Sequence, residues 1–109
     1  MARINLQVEK TSYVGKVLGL IGKKHPHALL LKTRFGIHTF GVRFPIDVVI
    51  LNKSNEIVTL KEHLLPNRIF FWNPSFDTVI ELPEGTIKKY NLKITDKLLL
   101  TFHEDKKVL

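Results

Sequence analysis

Residues 36–51 read Gly-Ile-His-Thr-Phe-Gly-Val-Arg-Phe-Pro-Ile-Asp-Val-Val-Ile-Leu. The last six form an apolar, mostly β-branched run interrupted by one carboxylate, Asp47. Branched side chains favour pleated backbone, and a run this short reads as a buried strand. Alternation puts Ile46, Val48 and Ile50 on one face and Asp47, Val49 and Leu51 on the other, so the carboxylate has apolar neighbours. Pro45 denies Phe44 helical geometry and has no N–H for a ladder, which suits the start of a strand or a bulge. Residues 37–42 are expected to be extended.

Beyond this stretch, Asn52-Lys-Ser-Asn55 is a turn signal in which asparagine tolerates left-handed backbone. Residues 56–62 return as the hairpin partner. In 63–77, Pro66, Asn67, Asn73 and Pro74 break any period. Phe70, Phe71, Trp72 and Phe76 fall in the same segment, which either folds them beneath itself as a satellite core, the favoured reading, or presents them to a partner. Residues 78–82 read as a strand, Pro83-Glu-Gly85 as a turn, and 86–91 as a helical turn with Ile87 and Tyr90 inward. A corner at 94–96 leads into a final strand over 97–102.

On the N-terminal side, Ile4, Leu6 and Val8 alternate with polar residues as in a half-buried strand. Thr11 or Ser12 can start a helix carrying Val14, Val17, Leu18 and Ile21, with Gly22 at its end. A basic loop and a buried strand over 28–32 follow. About seven short strands joined mostly by short turns predict a mainly-β fold, a single antiparallel β-sandwich or barrel with a short N-terminal helix. Its core spans about residues 3–102, and 103–109 form a charged tail.

A chain of 109 residues supports one domain. Its 44% hydrophobic and 25% charged residues are ordinary for a globular protein. The absence of cysteine excludes disulfides, thiolate zinc sites and thiol nucleophiles. No run approaches the roughly 18 apolar residues of a membrane helix, and the first residues lack a signal-peptide core. A soluble cytoplasmic protein with no membrane partner is expected. The net charge of +7 favours anionic partners, although the charge is scattered as on many lysine-rich surfaces.

Residues 37–51 resemble the signature of an uncharacterised family, domain of unknown function 192. Segments 15–22, 79–85 and 94–98 are similar to that family in the same order, so the resemblance extends over about residues 8–100. It implies a compact, mainly-β domain with a short helix near its start. It carries over no catalytic residue, because the family has no assigned activity. Family members usually have glycine where this chain has Thr95, and often where it has Asn55, which implies slightly different turns here. Val42 stands where many relatives have methionine.

The candidate site is His38, Arg43 and Asp47, with Thr39 beside the histidine and Glu81 in another apolar strand. In a functional reading Asp47 orients His38 and Arg43 holds an anion. In a structural reading the arginine and aspartate pair, and the histidine bonds backbone. Three functions follow. The first is a non-catalytic binding or accessory module for a small anionic ligand or a peptide. The second is a nucleic-acid-associated β-domain using Lys23, Lys24, Lys32 and Arg34, with Phe35 for stacking. The third is an acid–base enzyme using His38 with Asp47 or Glu81. His25 and His27, with a third ligand from His38 or His63, make a poor metal signal, so no metal or cofactor is expected. No serine nucleophile motif or phosphate-cradling glycine loop occurs.

Overall fold

Every residue of the strand over Ile46–Leu51 is buried, which requires cover on both faces of the sheet that holds it. A computed structural model describes residues 3–10, 28–34 and 36–102 and shows how that cover arises. The strands are β1 (Arg3–Lys10), β2 (Leu29–Lys32), β3 (Ile37–His38), β4 (Ile46–Leu51), β5 (Ile57–Leu64), β6 (Ile69–Phe70), β7 (Thr78–Pro83) and β8 (Lys97–Phe102). One short helix, α1 (Thr86–Lys89), lies between the last two. The helix expected over 12–21, the basic loop with Lys23, Lys24, His25 and His27, Phe35 and the tail fall outside the described residues.

Six strands form one sheet in the order β5-β4-β7-β2-β1-β8. Its two ends meet through a bridge between Glu56 and Lys97. There the Ile57 N–H donates to the Asp96 carbonyl and the Leu98 N–H to the Asn55 carbonyl, both at 2.9 Å. The sheet therefore curls into a barrel, as the mainly-β reading of an antiparallel sandwich or barrel anticipated. The two pairings of β1, with β2 and β8, are parallel. A parallel neighbour needs a crossover of about a dozen residues, and residues 11–28 supply the length.

Side chains from all six strands fill the interior, with Leu30, Val49, Ile57, Ile80, Leu82 and Leu98 buried at its centre and Ile4 and Leu6 packed against them. The opposite face of β2, β4 and β7 packs Leu31, Val48, Ile50 and Val79 beneath a second layer. That layer is the two-stranded ribbon β3-β6 with Phe70, Trp72 and Phe76. Phe70 and Trp72 lie 5.9 Å apart, and the Trp72 Nε1–H donates to the Phe76 carbonyl at 2.8 Å. The aromatic segment is thus mostly core, but Phe71 is 68% exposed. At Gly36 (φ 150°) an added Cβ would meet the Phe70 carbonyl oxygen at 2.8 Å, so the ribbon closes only on glycine.

Two local expectations change. Residues 37–42 are not extended throughout: β3 ends at His38 and the chain turns over 39–42, with Gly41 left-handed at φ 82°. Tyr90 is exposed rather than inward, because α1 stops at Lys89 and Tyr90 is its C-cap; Ile87 alone faces the barrel.

Asn55 (φ 61°) and Thr95 (φ 77°) are both left-handed, the conformation that glycine adopts without strain. The turns at these positions therefore keep a glycine-like shape. Asparagine tolerates it, whereas a β-branched residue is strained there by about 1–2 kcal/mol. Thr95→Gly should relieve that strain, offset in part by the extra unfolded-chain freedom of glycine. We predict a net stabilisation of about 0.5–1 kcal/mol, read as a higher urea midpoint at unchanged slope; an unchanged or lower midpoint would show that Thr95 is not strained.

Candidate functional site

Asp47 is the one polar residue of β4, and it is 1% exposed. It shares its face with Val49 and Leu51, so its carboxylate points into the barrel. A buried carboxylate is tolerated only when its lone pairs are satisfied. Here both oxygens accept backbone N–H groups, Oδ1 from His63 at 3.0 Å and Oδ2 from Ile87 at 2.9 Å. The first exists because the β4-β5 register jumps from Ile46↔Leu64 to Val48↔Lys61. That bulge leaves Glu62 and His63 opposite Asp47, and His63, at φ 54°, turns its N–H away from the ladder. The second satisfies an N–H in the first turn of α1, whose N-cap glycine has no side chain to do so. The His63 ring also pairs with Glu84, just before α1, so the bulge and the helix are joined twice.

Thr39 is fully buried and joins two turns. Its hydroxyl donates to the Leu65 carbonyl at 2.7 Å and accepts the Arg68 N–H at 2.9 Å. Its own N–H donates to the Arg68 carbonyl, and its carbonyl accepts the N–H groups of Val42 and Asn67. Thr39 is a positioning residue rather than a surface ligand. His38 pairs with Ile69 in the ribbon, accepts the Phe40 N–H on Nδ1 at 3.3 Å and stacks on the Phe40 ring at 5.1 Å. Arg43 is exposed just past the turn.

The central stretch therefore does not converge on one open patch as expected. Asp47 is inside the barrel, and His38 and Arg43 are in or beside the outer layer. Glu81 is buried on β7 opposite Val48, and so on the other face of the sheet from Asp47. The described hydrogen bonds of His38 and Asp47 run to backbone N–H groups and do not join the two, as the acid–base reading with Asp47 requires. Of the basic surface, Lys32 donates to the Thr78 hydroxyl at 2.7 Å. Arg34 donates to the Pro74 carbonyl at 3.2 Å and pairs with Asp77 at 3.5 Å. Among the described residues no three histidines or acids gather as metal ligands, and no helix is long and apolar enough to cross a membrane.

What sequence reasoning missed is a cleft of about 280 Å³ between β5 and β6, lined by Lys61, His63, Leu64, Leu65, Arg68, Ile69 and Phe70. Ile69 is 53% exposed, and Phe40 and Leu65 are exposed nearby. The two buried polar residues of the central stretch hold this cleft from below: Asp47 fixes the backbone of His63, and Thr39 that of Leu65 and Arg68. The only sequence signal was the turn chemistry of Pro66-Asn67, with Asn67 left-handed at φ 61°.

Residues 4–100 match the profile of DUF192, described as an uncharacterized ACR. The chain belongs to the DUF192 family. Among curated proteins none matches it significantly. The fold of this DUF192 chain is similar to that of a proposed transcription regulator from Sinorhizobium meliloti 1021. That likeness has 19% identity and a TM-score of 0.68, covering 81% of this chain and 76% of that one. A protein of unknown function from Novosphingobium aromaticivorans DSM 12444 is similar at 12% identity and a TM-score of 0.70, with 83% and 70% covered. At these identities the likeness concerns the fold alone.

If the two residues act as clamps, removing either must destabilise the domain. Asp47→Asn turns an amide donor toward a backbone N–H, and Thr39→Val leaves the Arg68 N–H and Leu65 carbonyl unpaired. We expect losses of about 1.5–3 kcal/mol for the first and about 1–3 for the second in urea unfolding. A loss below about 0.5 kcal/mol, the level of a neutral surface change, would deny the clamp.

Proposed function

We propose that this DUF192 domain is a cytoplasmic, non-catalytic binding module that takes an extended, acidic peptide segment of another protein in the cleft between β5 and β6. The observation that carries this reading is the composition of the cleft. Two cations, Lys61 and Arg68, flank the exposed apolar side chains Leu65 and Ile69. β5 is also the edge of the sheet order, and beyond the Glu56–Lys97 bridge no described strand pairs with its outer side. An extended peptide can hydrogen-bond to such an edge while its alternate side chains enter pockets. The net charge of +7 favours an acidic partner and disfavours a second copy of this chain. His38 pairs with the cleft residue Ile69, while Thr39 and Asp47 act from beneath the cleft.

A peptide fits better than a small anion because the apolar side chains of this face are solvent-exposed, a common mark of a protein-binding surface. A nucleic-acid-associated role, which the description of the Sinorhizobium protein would suggest, draws less support. Of the residues expected for it only Lys32 and Arg34 are among those described, and two cations fall short of the continuous basic track that a nucleic-acid backbone needs.

The test is a titration followed by amide chemical shifts, using a ten-residue alternating Asp/Val peptide, a matching Lys/Val peptide and a single-stranded oligothymidine. We expect the acidic peptide to shift Lys61, Leu65, Arg68 and Ile69, with affinity falling about tenfold in Arg68→Glu. No shift at the cleft, or equal shifts from the Lys/Val peptide, would refute the reading. Tighter binding of the oligonucleotide with a steep salt dependence would replace it with the nucleic-acid one.

A further inference from the structure

A second cleft, of about 370 Å³, lies at the other end of β4, between the β4-β5 turn and residues 73–77. The geometry points to a site for a small phosphomonoester with an aromatic or apolar body, independent of the peptide cleft. Three features support it: rigid walls, a surplus of positive charge and an apolar floor.

The walls are set by two asparagines. Asn52 Oδ1 accepts the N–H groups of Ser54 and Glu56, both at 2.9 Å, and Asn73 Oδ1 accepts the Ser75 N–H at 2.9 Å. Each side-chain bond mimics a backbone turn and holds it in place without a ligand. Each turn also carries a serine, and among the described residues neither hydroxyl takes a protein partner, so both remain available as donors.

Lys53, exposed on one wall, forms no ion pair among the described residues. Across the cleft Arg34 is anchored by a hydrogen bond to the Pro74 carbonyl and an ion pair with Asp77, and its guanidinium has five N–H donors in all. The negative charge of Asp77 is countered twice. Its Oδ2 faces Arg34, and its Oδ1 accepts the Thr78 hydroxyl, which in turn accepts from Lys32. In the lining Arg34 and Lys53 thus outnumber the one carboxylate, Asp77. Glu56 is engaged by Asn52 Nδ2 and does not line the cleft.

Half-buried Phe76 supplies the apolar floor, while Leu51 lines the cleft with its side chain turned into the barrel. The bond from Trp72 fixes the Phe76 backbone, and the Phe76 side chain packs against the core cluster beneath the second layer. A fork-shaped guanidinium, an ammonium and two hydroxyls match the several acceptor oxygens of a phosphate better than the two of a carboxylate. The volume lies in the range of small-molecule sites.

The test uses the full chain and three probes: phenyl phosphate, inorganic phosphate and phenol. We expect phenyl phosphate at millimolar concentration to shift the amides of Lys53, Ser54, Ser75 and Phe76. Phosphate should bind about tenfold more weakly, and phenol should shift none of them. Lys53→Gln, at an exposed turn position, should weaken phenyl phosphate about tenfold while the remaining spectrum stays unchanged. Absence of shifts at these residues would overturn the proposal. So would equal affinity for phosphate and phenyl phosphate, which would make the cleft a general anion patch, or unaltered binding in Lys53→Gln. Because the peptide cleft shares none of these residues, failure here leaves the peptide reading untouched, and the converse holds.

Discussion

The segment over residues 63–68 is held to the barrel by two side chains that never reach solvent. It cannot be held by strand pairing alone. His63 and Asn67 are left-handed, and such residues direct their N–H groups out of a regular ladder. A backbone donor left unpaired in a partly dry place costs about 1–3 kcal/mol, so each of these groups needs an acceptor from elsewhere. The Asp47 carboxylate supplies one for His63, the Thr39 hydroxyl one for Arg68, and the Thr39 carbonyl one for Asn67. Both lie within the same nine-residue span of chain, at the exit of β3 and the start of β4. The polar residues of the central stretch therefore act as its clamps.

This placement explains why the proposed binding cleft lies beside the motif and not within it. A strand buried on both faces has no surface on which to present a reactive group. What it can do is fix the register and bulges of the strand beside it, and β5 carries both register shifts of the hairpin. Bulges also twist an edge away from unwanted pairing. The cleft opens beside this irregular edge, where cationic and apolar side chains reach solvent together. Specific capture of a partner is compatible with such an edge, whereas indiscriminate sheet extension is not.

Much of the framework was legible from local chemistry. The β-branched run gave β4 its bounds, and alternation correctly placed Asp47 among apolar neighbours. The asparagine turn and the pattern over 97–102 located the hairpin and β8. The unread features are those that depend on distant residues. Ile87 is forty positions from Asp47, and Leu65 and Arg68 are twenty-six and twenty-nine from Thr39. No periodicity in a single chain reports such a bond. The turn at 39–42 went unread for the same reason, since the bonds holding Thr39 come from residues 65–68. The cleft was hidden because residues 63–77 show only breakers and aromatics, and which aromatics turn inward is decided by the layer they meet. The parallel neighbours of β1 likewise follow from barrel closure and not from local pattern.

The most direct measurement is native-state hydrogen exchange at four amides: His63, Asn67, Arg68 and Ile87. If Asp47 and Thr39 clamp the segment, all four exchange as slowly as the ladder amides of β4 and β7, although none is paired within the six-stranded sheet. In Asp47→Asn the protection of His63 and Ile87 should fall together while Asn67 and Arg68 keep theirs. Fast exchange of these amides in the unmodified protein, or a loss spread evenly over the whole domain, would contradict the account.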